Sequence, residues 1–238
     1  IGGTTSNGTI AGAALVNSSH TPLITPLTGG SNIDNAGEYI FRIGNSDVFN
    51  GDQQAEWLLE NDLKRVALFT EQTEYTTDIA KFFRERFIEK GGELVFDEEF
   101  FPDKPDFKSE ITKLRTKKPQ ALFMSTQTGL AFGIFVKQWR QLGGSDTANI
   151  YTNFLAASNP DAFEAAGDAI SGVRYMAPAY DSENPALVQF LKEFRGDHGK
   201  DPAIGFHLAG MVDALNMLQA YLDSTDGRYD REKFHDYL

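Results

Sequence analysis

Residues 65–100 read RVALFTEQTEYTTDIAKFFRERFIEKGGELVFDEEF, and this stretch decides the fold class. It opens on an apolar, β-prone run, Arg65 to Thr70. After a polar turn, Ile79, Phe82, Phe83 and Phe87 recur at the three-to-four spacing of one helix face. Gly91-Gly92 ends the helix where a positive φ costs little, and Glu93 to Phe100 reads as a second strand. Strand, helix and strand in so short a span make a βαβ unit, whose strands lie parallel in one sheet.

The same rhythm continues toward the C-terminus. Ala121 to Thr126, Asn149 to Phe154 and Val173 to Ala177 are further strand candidates, and Phe107, Ile111 and Leu114 mark a helix face. Asp106 and Ser125 to Thr128 offer capping oxygens, and Gly143-Gly144 a second stop. Residues 63–179 therefore read as one α/β lobe. Upstream the signals are thinner: a helix over Thr9 to Asn17, strands at Pro22 to Thr25 and Tyr39 to Ile43, and a helix carrying Val48, Ala55, Trp57, Leu58 and Leu59. Downstream lie two helices, about Pro185 to Asp197 and Gly205 to Leu222, with no strand between them. A helix pair without its own sheet must pack on one supplied elsewhere. Residues 1–62 and 180–238 are accordingly expected to form one lobe, with crossings near Leu63 and Pro178 to Asp181.

A sheet of two N-terminal strands is meagre. The chain opens on Ile1-Gly2-Gly3, which reads as the end of a strand, and closes on Asp236-Tyr237-Leu238 inside a helix. The expectation is that two βα units, roughly 60 residues, precede this sequence, and that both ends are cut.

The formal charge of -12 disfavours phosphate backbones and anionic membranes, so nucleic acid is not an expected partner. The absence of Cys removes disulfides, thiolate catalysis and Cys-based zinc sites and leaves the compartment open. No apolar run approaches the roughly 20 residues that cross a bilayer, and no direct membrane insertion is expected. His20, His198, His207 and His235 have no neighbouring ligand at metal spacing; His207 lies on an apolar helix face and reads as a core or rim residue. Ser6, His20 and Asp34 can be written as a triad, but no nucleophile elbow accompanies them. Neither a P-loop nor a dinucleotide fingerprint follows a strand, and no cofactor is expected. Asp97-Glu98-Glu99 and Lys113 to Lys118 read as solvated faces.

An ordered set of motifs runs through the chain: Gly2-Gly3-Thr4-Thr5-Ser6, Thr21-Pro22-Leu23-Ile24-Thr25-Pro26-Leu27-Thr28-Gly29 and Tyr39-Ile40-Phe41-Arg42, followed by Lys64-Arg65-Val66-Ala67 with Tyr75 beyond it. Asp106-Phe107, Lys137-Gln138, Leu142-Gly143, Ala166 to Ala169, Gly172-Val173 and the run from Asp201-Pro202 to Ala214 continue it. Together they resemble the leucine/isoleucine/valine-binding proteins of bacterial ABC importers, over nearly the whole chain. That resemblance implies a type I periplasmic binding protein: two Rossmann-like lobes with parallel sheets flanked by helices, joined by a hinge. It also implies capture of an amino acid or small organic or aromatic acid, a membrane permease as partner, no enzymatic activity, and a periplasmic or extracellular location.

Candidate ligand contacts lie on loops after strands, where open α/β sheets bind. Ser6, with Thr5, sits where a helix N-terminus favours an anion; on residues alone, capping the helix and touching a ligand are equally good readings of Ser6. Leu27, Thr28 and Gly29 form the second loop, either a plain turn or a close approach to ligand. Tyr75, Gln127 and Asn153 follow later strands, and Phe206 leads a helix, where core packing is its alternative. In the resembled family a carboxylate near Leu155 pairs with the ligand ammonium. Here Tyr151 to Ala157 holds no acid; Glu71, Glu74 or Asp181 could supply the charge instead, though solvation is the better reading of each. Two rival readings are a ligand-sensing domain of a receptor or regulator and an α/β enzyme using the same crevice.

Overall fold

The computed structural model describes residues 1–3, 5–146, 148–177, 181–202 and 205–238; of residues 146, 205 and 206 it describes only the backbone. The chain runs through α1 (Ser6–Ser18), β1 (Leu23–Thr25), β2 (Ile40–Arg42) and α2 (Asp47–Glu60). Next come β3 (Arg65–Glu71), α3 (Glu74–Glu89), β4 (Glu93–Phe100), α4 (Lys108–Thr116), β5 (Ala121–Ser125) and α5 (Gly129–Gln141). It closes with β6 (Asn149–Asn153), α6 (Phe154–Ala157), α7 (Pro160–Ala166), β7 (Arg174–Met176), α8 (Pro185–His198), α9 (Gly205–Ser224) and α10 (Arg231–Tyr237). Two compact units result, Ile1–Ser46 with Pro178–Leu238 and Asp47–Ala177.

The Asp47–Ala177 unit is built on five parallel strands in the order β4-β3-β5-β6-β7. Helices cover both faces, so β3 and β5 are buried nearly end to end, which is why their sequences are continuous apolar runs rather than alternating ones. The pleat still sorts the side chains: Ala67 and Phe69 join Phe107, Phe135 and Trp139 on one face, while Val66 and Leu68 join Phe83, Phe87 and Phe123 on the other. Thr73 caps α3 reciprocally with Thr76, and Gly91 leaves it at φ +88 as the glycine pair suggested.

One boundary differs from the sequence expectation. The helix Asp47–Glu60, expected with the first lobe that ended at residue 62, packs in the second unit instead. Ala55 and Leu58 are wholly buried in the cluster that holds Val66 and Phe83, and an added Cβ on Gly51 would lie 2.6 Å from the Ile79 carbonyl oxygen of α3. An apolar helix face announces that something covers it and does not say which sheet.

The other unit pairs β1 with β2 in parallel, and the Gly2 N–H donates to the Ile24 carbonyl at 3.1 Å beside them. Among the described residues its buried cluster is small: Ile24, Ala214, Tyr221 and Phe234, with Ile43, Leu218, Leu222 and Leu238 packed against it. Asp230 caps α10 through the Lys233 N–H. Leu187, Phe190, Leu191 and Phe194 of α8 are only half-buried. Thr4, the expected crossing at Pro178 to Tyr180, and the side chain of Phe206 lie outside the described residues. No helix among the described residues is long and apolar enough to cross a membrane.

Candidate functional site

In the first unit the α1 N-terminus removes one of the two readings of Ser6, that of helix cap. Thr5 is the cap, accepting from the Gly8 N–H at 3.2 Å, and Ser6 is the first helical residue. The Ser6 side chain is buried, and its Oγ accepts the Gly30 N–H at 3.1 Å. This bond joins the first loop to the second. A Cβ on Gly30 would come within 2.9 Å of that Oγ, so the approach needs glycine. Beside it Leu27 is half-buried and Gly29 buried, and Thr28 is 1% exposed with no hydrogen-bond partner for its hydroxyl among the described residues. The triad reading fails here: His20 lies 3.1 Å from Glu232 and Asp34 pairs with Arg42 at 2.5 Å.

In the second unit the carboxyl ends of β3, β5 and β6 carry Tyr75, Gln127 and Asn153, with β5 directly between the other two strands. The Tyr75 ring is half-buried, and its hydroxyl is shut from water with no partner among the described residues. Burial, and secondarily the charge of Asp47, hold that phenol above its ordinary value of 10.0. Asn153 is 7% exposed, and both atoms of its amide lack partners among the described residues. Gln127 is held at both ends: its N–H donates to Glu71 Oε2 at 2.7 Å, and its Oε1 accepts from the Thr73 hydroxyl at 3.3 Å.

Buried polar atoms are nearly always hydrogen-bonded, because each one left unmade costs about 1–3 kcal/mol. Thr28, Tyr75 and Asn153, all expected contacts, carry such atoms at strand tips. Thr70 in β3 and Trp139 in α5 carry one each as well, so the signal lies in the position and not in the count.

Two acids escaped sequence reasoning. Asp47 is buried and its charge reaches Tyr75. Glu71, expected in solvent, is completely buried, and the hydroxyls and amides of the Thr126 to Thr128 turn point at its carboxylate. The available signal was an acid ending an apolar strand, opposite a turn rich in hydroxyls. Asp181, by contrast, is exposed as expected.

A family model described as periplasmic binding protein matches residues 1–238. The chain belongs to the periplasmic binding protein family. Solved structures place its fold within that family. A leucine-binding protein from Thermotoga maritima MSB8 superposes with TM-score 0.85 at 24% identity, over 99% of this chain and 66% of its own. A branched-chain amino acid transporter substrate-binding protein from Streptococcus pneumoniae, in complex with isoleucine, gives 0.82 at 23% identity, over 99% and 66%. A solute-binding protein of an ABC transporter from Rhodopseudomonas palustris BisB5, in complex with 3,4-dihydroxybenzoic acid, gives 0.77 at 26% identity, over 97% and 63%. The chain thus spans about two thirds of the length of these family structures. No curated protein matches it in sequence.

Proposed function

We propose that the chain is the solute-binding component of an ABC importer, working outside the cytoplasm and handing its cargo to a membrane permease. Its solute is a small carboxylate-bearing molecule, an amino acid or an aromatic acid, and no bond is made or broken. Thr5, Ser6, Leu27, Thr28 and Gly29 are the proposed contacts from the first unit. Tyr75, Gln127 and Asn153 are those from the second, and Phe206 completes the set.

One observation carries this reading: the buried Tyr75 hydroxyl and Asn153 amide, without partners among the described residues, at the carboxyl ends of parallel strands, where an α/β sheet presents its ligand-binding groups. A solute would satisfy them. The isoleucine and 3,4-dihydroxybenzoic acid in the family structures supply two probes of the two solute classes.

The test is a melting-shift screen with both acids. A ligand at 100 times its dissociation constant adds about 2.7 kcal/mol. Tyr75→Phe makes the screen specific, because removing an unpartnered buried hydroxyl leaves the free protein as stable or more so, while a lost contact weakens the ligand shift. Opposite signs in the two readouts support the assignment. If neither acid shifts the melt, or Tyr75→Phe leaves the shift intact, the reading fails for that solute or that contact.

A further inference from the structure

We propose that Glu71 is a positioning residue: its carboxylate fastens the Thr126 to Thr128 turn to the tip of β3 and so fixes how Gln127 is presented to a solute. The proposal rests on the solute-binding reading above.

A carboxylate with no exposure costs several kcal/mol unless donors surround it. Glu71 has four. Oε2 accepts the Thr126 hydroxyl at 2.5 Å, the Gln127 N–H at 2.7 Å and the Thr128 N–H at 2.9 Å, and Oε1 accepts the Thr128 hydroxyl. All come from three consecutive residues after β5. The last of them, Thr128, is the N-cap of α5, yet its hydroxyl makes no cap bond, having turned to Glu71. The carboxylate from the neighbouring strand therefore holds the turn that leads into α5, beside a helix end where the macrodipole favours negative charge.

The main chain of Glu71 completes the hold. Its carbonyl accepts the Thr73 N–H at 2.9 Å and the Thr76 hydroxyl. Thr73 in turn donates to Gln127 Oε1. Gln127 is thus pinned at its amide by the Glu71 side chain and at its side chain through a residue that the Glu71 carbonyl places. Two consequences bear on the solute. The turn into α5 already binds an internal carboxylate, so a solute carboxylate brought there would meet like charge. What Gln127 and Asn153 offer is neutral amide chemistry. Glu71 itself is completely buried and turned onto the Thr126 to Thr128 donors, so it is not presented to a solute ammonium.

The test is Glu71→Gln, which keeps the size but turns an amide donor toward donors. Hydrogen exchange on the ligand-free protein should accelerate at the Gln127 and Thr128 amides by about tenfold or more, with Val66 to Phe69 unchanged. Affinity for whichever of isoleucine and 3,4-dihydroxybenzoate binds the wild type should fall by about tenfold, the scale of one charge-assisted hydrogen bond, and Glu71→Asp should recover part of it. Thr128→Val should act in the same direction more weakly and add nothing to Glu71→Gln; it also carries the test if Glu71→Gln does not fold. Unchanged exchange at Gln127 and Thr128 overturns the clamp. Faster local exchange with unchanged affinity overturns the positioning role. If the wild type binds neither acid, the solute-binding reading fails and takes the positioning role with it, while the exchange data still report separately on the clamp.

Discussion

The Asp47–Ala177 unit holds its chain with five parallel strands and two faces of packed aromatics, whereas the unit formed by Ile1–Ser46 and Pro178–Leu238 pairs, among the described residues, two strands of three residues each over a small buried cluster of Ile24, Ala214, Tyr221 and Phe234. Both contribute proposed ligand contacts. The difference is in how those contacts are braced. Tyr75, Gln127 and Asn153 stand on strand ends whose backbones are hydrogen-bonded on both sides, and Glu71 ties two of those ends together. Ser6 opens α1 and Thr28 stands on the loop after β1, and the Ser6–Gly30 bond joins the two beside a ladder of two three-residue strands. Local opening free energy follows buried contact and ladder length, so the second unit should be the stiff half and the first the compliant one.

Three substitutions can break or sharpen that contrast. The largest effect is expected from Phe69→Ala. Phe69 touches the rings of Phe96, Phe100, Phe107 and Phe135 with centroids 4.6–6.0 Å away, and its truncation should cost about 3–5 kcal/mol in urea unfolding of the second unit. A loss below about 1 kcal/mol would mean the core collapses freely and is not the rigid body described.

Gly51→Ala comes next and probes the reassigned helix. The new methyl would meet the Ile79 carbonyl at 2.6 Å and the Phe83 nitrogen at 2.7 Å. Overpacking of this kind costs about 1–3 kcal/mol, outweighing the helix propensity gained by replacing glycine. If α2 belonged to the first unit, alanine would be neutral or stabilising in the second unit's unfolding transition.

The smallest effect concerns Tyr221→Phe. The Tyr221 hydroxyl donates to the Asp230 carbonyl at 3.1 Å and accepts the Asp230 N–H at 3.2 Å, holding the start of α10. Its loss should cost about 0.5–1.5 kcal/mol and speed amide exchange in α10 while leaving Val66 to Phe69 untouched. Equal acceleration in both units would show that they unfold as one and erase the contrast.

What the residues determined alone is the alternation of strand and helix. Arg65 to Thr70, Glu93 to Phe100, Ala121 to Thr126 and Asn149 to Phe154 were legible to within a residue of β3, β4, β5 and β6, because a buried parallel strand announces itself as a local apolar run with turn residues at its ends. The family likeness was legible for the same reason, as an ordered series of local motifs. The placing of candidate contacts after strands followed from that alternation. Tertiary structure alone decided which sheet α2 covers, that Ser6 reaches Gly30 across 24 positions of chain, and that Glu71 is an interior clamp and not a solvated acid. Each of those depends on a partner 24 to 57 residues away, and periodicity within a helix or strand carries no information about what lies across the fold from it. A side chain's chemistry is written in the sequence, but its burial, and with it whether a carboxylate faces water or four donors, is set by the neighbours that folding brings.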